Sequence, residues 1–206
     1  IISAISHEFK NPIAIISGYT ETILNDEQMP QPMKIRFLKK IYSNANKMSH
    51  IVDKLRLTLK LEEGKQELIL IPCSMKKLII TCISDLKDKY KNREILIQGD
   101  DITLKVDETL ISMAISNLIE NALKYSEDEI IVNISDNSIT IIDKGIGIEE
   151  KELEKINQKF YRISNNGWNN SLGLGLFIVQ SVLSLHNFTL KIDSEFKNGS
   201  QFSINY

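Results

Sequence analysis

The period of the apolar residues changes once along this chain, and that change constrains the fold more than any other feature. Ile2, Phe9, Ile16 and Ile23 recur every seven residues, with Ile5, Pro12 and Tyr19 at the partner positions, which is the spacing of a helical seam. After a polar, proline-containing turn at Asn25 to Pro32, a second helical stripe runs through Phe37, Leu38, Ile41, Ala45, Met48, Ile51, Val52, Leu55 and Leu59. It is wider than one neighbouring helix can cover. At EEGKQ, Glu62 to Gln66, the helical period stops at a glycine and strand-like alternation begins. The pattern predicts a helical hairpin over residues 1–61, a linker over 62–66 and a second domain over 67–206. A lone hairpin would leave the wide stripe bare. Pairing two hairpins into a four-helix bundle is the simplest way to bury it, so a homodimer is expected.

Charge supports the division. Residues 1–61 hold nine Lys/Arg against five Asp/Glu, whereas residues 62–206 hold sixteen against twenty-two. The net charge of −2 over 206 residues gives no basic footprint for nucleic acid, and no apolar run approaches the ~20 residues of a membrane span. Cys73 and Cys82 form no CxxC pair and no signal peptide is evident. Neither a disulfide framework nor a zinc site is indicated, and a reduced, cytoplasmic setting is expected.

In the second domain, alternation predicts strands near Glu67–Ile71, Glu94–Gln98, Glu129–Ser135, Ser138–Asp143, Phe188–Asp193 and Gln201–Tyr206. Helices are expected from about Ser74 to Lys89, from the N-cap candidate Asp107 to Lys124, and from about Gly173 to Leu185. The fold class is thus α+β: the helical hairpin, then an α/β sandwich with helices on one face of a mixed sheet.

The hairpin carries one unusual stretch, SHEFKNP. With Ile2 and Phe9 on the seam, His7 falls on the opposite, solvent-facing side, and Asn11 shares that face one turn along. Glu8 is adjacent in sequence and can bend toward the ring. Pro12 removes a hydrogen bond to the Glu8 carbonyl at a cost of about 3 kcal/mol or more, which some function should offset, although a proline in a bent core helix is the plain alternative. His50, on a polar face, and His186, ending a helix, are read as ordinary surface and structural histidines.

Three stretches of the second domain carry chemistry. NLIENALKYS places Asn117 and Asn121 on one helical face with Lys124 a turn beyond. Amide oxygens suit Mg²⁺ and a lysine suits phosphate, although a buried polar pair satisfied by backbone fits the same pattern. In DKGIGI, a strand ends at Asp143 and is followed by Gly145 and Gly147. A carboxylate there can accept from an exocyclic amino group such as that of adenine, and a plain strand-end turn has the same sequence. SLGLGLFIV puts Gly173 and Gly175 at a helix start, where free N–H groups favour phosphate. Before it, SNNGWNN reads as a mobile loop. Neither the P-loop pattern nor the dinucleotide-binding glycine pattern occurs.

Taken in this order, SHEFKNP, NLIENALKYS, DKGIGI, KFYR and SLGLGL resemble the sensor histidine kinases of bacterial two-component systems over essentially the whole chain. The resemblance implies a dimerisation and phosphoacceptor hairpin followed by an ATP-binding domain of the gyrase and chaperone ATPase type. It implies His7 as phosphoacceptor, Glu8 as its acid/base partner and Asn11 as the residue that positions water for dephosphorylating the partner. It implies that Asn117 and Asn121 hold Mg²⁺ and phosphates, with Asn121 as the metal ligand. Lys124 and Arg162 would contact phosphate, Tyr125 would lie near the nucleotide and Asp143 would bind adenine. Gly145, Gly147, Gly173 and Gly175 would shape pocket and lid. The partners implied are a second copy and the receiver domain of a response regulator. The chain would be the cytoplasmic core of a membrane-anchored parent whose sensor lies upstream. Two positions depart from the family pattern: Asn157 stands where an aromatic is usual, and Ser171 where the first glycine of the last motif is usual. A hydrolytic ATPase of the same superfamily remains an alternative, although Asn117 stands where such enzymes carry a water-activating glutamate. A silent, nucleotide-binding dimerisation scaffold is the other.

Overall fold

The computed structural model describes residues 2–163 and 172–206. They form two compact units, one built from residues up to Glu63 and the other from Gly64 to 163 and from Gly173 to Tyr206. No helix among the described residues is long and apolar enough to cross a membrane.

The first unit is an antiparallel hairpin of α1 (Ile2–Asn25) and α2 (Gln31–Glu62). Pro32 falls in the first turn of α2, where its missing N–H costs nothing. The covered positions of α1 are those of the seam. Phe9, Ile16, Tyr19 and Ile23 are half-buried and Pro12 is buried, and α1 runs through Pro12 without interruption. Tyr19 meets Phe37 of α2 with ring centroids 4.8 Å apart and planes tilted by 42°, a contact that helps fix the register of the two helices. The wide stripe of α2 is covered along only half its width. Phe37, Ile41, Met48, Ile51 and Leu55 are half-buried or buried, whereas Leu38, Val52 and Leu59 are 50%, 50% and 58% exposed.

The second unit is α+β. β1 (Ile71–Ser74) pairs antiparallel with β3 (Thr103–Val106), and five strands form a mixed sheet in the order β2-β4-β5-β7-β6: β2 (Ile95–Gln98), β4 (Ile130–Ile134), β5 (Ser138–Asp143), β6 (Thr189–Glu195) and β7 (Gly199–Asn205). β2 runs parallel to β4, and the other pairs are antiparallel. Register stacks apolar residues into rows across the sheet: Val132, Ile141 and Phe202 in one, Ile134, Ile139 and Ile204 in the next. All are nearly fully buried, so a one-residue slip would send both rows to the wrong face.

Over this sheet lies α4 (Glu108–Tyr125), between α3 (Met75–Lys87) and α6 (Gly175–Leu185). Leu110, Ile111, Ala114, Ile115, Leu118 and Ile119 give it a buried face at the helical period. Its start is fixed by Asp107. One carboxylate oxygen accepts from the Leu110 N–H and the other from the Ile69 N–H, each at 3.0 Å, so the same side chain caps the helix and ties down the entering segment. The Asp107 N–H donates to Nε2 of His186 at 3.0 Å, which leaves Nδ1–H to donate to the Val182 carbonyl at 2.7 Å. His186 is therefore a structural residue, as read from the sequence.

The strand expected at Glu67–Ile71 is displaced to Ile71–Ser74, because only that stretch finds a partner, in β3. Two elements were not anticipated: β3, and the one-turn helix α5 (Glu150–Leu153).

Candidate functional site

In the hairpin, His7 and Asn11 are exposed on α1 and Glu8 is 3% exposed between them. The helical repeat accounts for the difference. Glu8 precedes Pro12 by one turn and so shares the covered side, whereas His7 and Asn11 face outward. SHEFKNP thus presents an imidazole and an amide to solvent beside a carboxylate withdrawn from it. His50 is exposed.

In the second unit, the residues singled out from sequence come together around the C-terminal half of α4. Asn117, 8% exposed, donates from Nδ2 to the Met113 carbonyl at 2.8 Å. That bond uses one of the two amide N–H donors and fixes the amide, leaving its oxygen as the atom able to take a cation or a donor. This oxygen lies 3.4 Å from where a Cβ at Gly175 would stand, so the start of α6 faces it. Asn121 is half-buried one turn further along α4. Lys124 is also half-buried, with its ammonium 5.1 Å from the Tyr125 ring centroid. Burial pushes the Tyr125 phenol up, and the positive charge of Arg162 pulls it back. That opposition places Arg162, from KFYR, within electrostatic reach of the end of α4.

Asp143 closes β5 and is 5% exposed. Its Oδ1 accepts from the Gly145 N–H at 2.8 Å, and the Ser200 N–H also donates to the carboxylate. The carboxyl pKa is nonetheless raised, because burial outweighs these two bonds. Gly145 is required by close approach, since a Cβ there would lie 2.2 Å from the Tyr125 carbonyl oxygen. The turn is thereby pressed against the last residue of α4, and the Ile146 N–H donates to the same carbonyl at 3.2 Å. Gly147 follows with φ +63°. Gly173, with φ +67°, lies against the KFYR segment: its carbonyl accepts from the Phe160 N–H at 3.0 Å, and a Cβ would meet the Tyr161 carbonyl oxygen at 2.6 Å. Only glycine fits that combination of backbone angle and contact. Tyr161 hydrogen-bonds to Glu152 of α5.

Contacts therefore join Asn117 to Gly175, Gly173 to Phe160 and Tyr161 of KFYR, and Tyr125 to Gly145 and so to Asp143, with Arg162 acting on Tyr125 through its charge. Asn157 is half-buried, and its Oδ1 has no hydrogen-bond partner among the described residues. Ser171 and SNNGWNN lie outside the described residues.

Ser194 and Ser200 belong to no motif of the sequence, yet both reach this site. The Ser194 hydroxyl donates to the Gly199 carbonyl at 2.9 Å, accepts from the Ile148 N–H at 2.9 Å and sits 2.8 Å from the Ser200 hydroxyl. These bonds brace the glycine turn after Asp143 from the β6–β7 end. Only the pairing of Asp143 with Ser200, which are far apart in sequence, brings them there.

Mg²⁺ fits this donor set in one way. No group of three His, Cys, Asp or Glu among the described residues could hold a metal ion, so the protein alone offers no cage. Amide oxygens on α4 are hard donors, and Mg²⁺ is commonly held by one or two protein ligands together with substrate phosphates.

Residues 106–206 match the family described as histidine kinase-, DNA gyrase B- and HSP90-like ATPase, and residues 1–64 match the His Kinase A (phospho-acceptor) domain. The phosphate regulon sensor protein PhoR of Pseudomonas aeruginosa is 31% identical over 216 residues, an alignment that spans all of this chain and 49% of PhoR. The chain spans about half the length of the curated relatives it matches. Among solved structures, the histidine kinase AdeS of Acinetobacter baumannii superposes with a TM-score of 0.75 at 20% identity, covering 96% of this chain and 95% of that one. The histidine kinase ThkA, solved in complex with the response regulator protein TrrA, superposes with a TM-score of 0.67 at 20% identity, covering 98% of this chain and 59% of that one.

Proposed function

This chain belongs to the sensor histidine kinases of two-component systems, and from that premise we propose that it transfers the γ-phosphoryl group of ATP to His7 and then to an aspartate of a response regulator. The observation that carries the reading is Asp143: a buried carboxylate at a strand end, braced by backbone N–H groups within a turn that has no room for side chains. Such a group is built to accept from a flat ligand's amino group, and adenine offers one where guanine offers an oxygen.

In the proposed reaction, Asn117 and Asn121 orient the phosphate chain, and Lys124 and Arg162 spread its developing charge, since phosphoryl transfer depends mainly on positioning and electrostatics. Asn121 would hold Mg²⁺ through its amide oxygen, and the ion would supply charge neutralisation for the phosphates. Nε2 of His7 attacks the γ-phosphorus in line, and the bond from phosphorus to the oxygen of departing ADP breaks. Glu8 accepts from Nδ1–H, which makes Nε2 the better nucleophile and shares the positive charge that the ring acquires. The phosphorylated imidazole then donates to the regulator's aspartate. On the unphosphorylated chain, Asn11 aligns water for attack on the regulator's aspartyl phosphate, which releases inorganic phosphate and the free aspartate in the opposing, phosphatase role.

Pairing of two hairpins is part of the same proposal. Leu38, Ala45, Val52 and Leu59 are exposed at seven-residue spacing, which is the pattern one copy offers another. The excess of Lys and Arg in the hairpin would attract an acidic receiver domain, although modestly at physiological salt. The parent protein is proposed to be membrane-anchored, with this core in the cytoplasm.

The test is incubation with γ-labelled ATP and Mg²⁺. Label should appear on the protein, survive alkali, be lost in acid and be absent from His7→Gln. Phosphate release without protein label would mark a hydrolytic ATPase, and nucleotide binding with neither would mark a silent scaffold. Undiminished label in His7→Gln would sink the kinase reading.

A further inference from the structure

The space between α3, β2 and the last turn of α4 has no part in phosphoryl transfer. It is a cavity of about 310 Å³ whose lining includes Ile83, Ile95, Ile97 and Leu123 together with Lys87 and Arg93. That volume lies at the lower end of the ~300–1,000 Å³ typical of small-molecule sites. β2 is an edge strand, which leaves the cavity open on one side.

Its electrostatics are one-sided. The Arg93 guanidinium donates to the Leu123 carbonyl at 2.9 Å and to the Asp128 carbonyl at 2.8 Å. Both acceptors are neutral, so the guanidinium is held in place while no carboxylate among the described residues forms an ion pair with it, and it keeps further N–H donors to offer. No ion pair engages Lys87 among the described residues, and none of the lining residues is acidic. Glu120 of α4 is engaged by Lys89 and by the hydroxyl of Tyr90, a lining residue that donates to it at 3.4 Å. A fixed, uncompensated cation beside isoleucine side chains selects a ligand that has a negative head and an apolar body. The head replaces water on Arg93 with a charge-assisted bond, and the body removes apolar surface from water.

We propose that this cavity binds a small amphipathic organic anion, an aliphatic or aryl carboxylate, with its head on Arg93 and Lys87 and its body against Ile83, Ile95 and Ile97. The site is independent of the kinase reading, and its test needs no nucleotide.

The 206-residue chain is titrated with sodium octanoate, kept below its micellar concentration, while isoleucine methyl resonances are followed by NMR. Octylamine serves as the charge-reversed probe. Saturable shifts are expected at Ile83, Ile95 and Ile97, with octylamine about tenfold weaker or worse because it meets two cations. Two exposed lining positions supply variants that leave the core intact. Ser84→Trp fills the mouth and should abolish the shifts, and Lys87→Glu should weaken octanoate while improving octylamine. The proposal is overturned by an absence of saturable shifts, by equal affinity for octylamine, or by shifts that persist in Ser84→Trp, which would mean scattered surface adsorption. It is also overturned if these methyl signals move with protein concentration in the absence of probe, which would mean that a second copy occupies the cavity.

Discussion

At Asp143, burial and hydrogen bonding pull the carboxyl in opposite directions, and burial wins. A raised folded-state pKa means that the protonated form is favoured in the unliganded fold. That contribution to stability is complete below the ordinary aspartate range and is lost as pH rises through the raised value. The proposed recognition of adenine has the opposite sign, because the ionised carboxylate is the form that accepts from the amino group. ATP affinity should therefore fall as pH falls through that raised pKa, beginning above the range of an exposed aspartate. Asp143→Asn should weaken ATP by about 1–3 kcal/mol, the scale of a hydrogen bond to a charged group, and should flatten the pH dependence. Calorimetry across a pH series checks both, and a wild-type affinity that does not vary over this range would reject the role. Ser200 shows where sequence stops informing at this scale. Its N–H reaches Asp143 only through strand register, and a serine after a glycine in a β-turn gives no sign of that.

Among the elements, those whose pattern serves their own burial were legible in the sequence. The heptad of α1, the limits of β5 and the N-cap of α4 all follow from residues that satisfy a local rule. β3 was not legible because its polar–apolar alternation, Thr-Leu-Lys-Val, covers only four residues, too few to stand out as a strand. β1 was misplaced for the opposite reason. Ile69, Leu70 and Ile71 look like a core strand but are 74%, 43% and 43% exposed, and the position of the strand is set by its pairing with β3. Two expectations belong to helices. Leu118 is fully buried at the middle of α4, so Leu118→Ala should destabilise the second unit by about 2–5 kcal/mol through lost transfer energy and a residual cavity, as read by urea denaturation. Val52 is half exposed on the bare stripe of α2, so Val52→Glu should leave the hairpin folded but shift sedimentation from dimer to monomer. An unchanged dimer would place the partner contact elsewhere.

The proposed function asks two reactions of one histidine, and SHEFKNP separates the groups that each would need. Autophosphorylation requires the second unit, its nucleotide and a group that shares the charge of His7. Glu8, withdrawn from solvent, is suited to that because a carboxylate shielded from water interacts more strongly with an imidazolium. Dephosphorylation of a docked regulator needs no nucleotide. It needs an exposed group that can both donate to and accept from water, and Asn11 is such a group on the same outward face as His7. Glu8→Ala should therefore lose mainly kinase activity, whereas Asn11→Ala should keep autophosphorylation and transfer but lose most phosphatase activity. The two are measured on one preparation, first as label gained from γ-labelled ATP and then as label lost from a purified phosphorylated regulator. The plain alternative is that Asn11 only tolerates the backbone before Pro12. Its alanine variant would then dephosphorylate the regulator at the wild-type rate, and the division of labour within this one helical turn would be refuted.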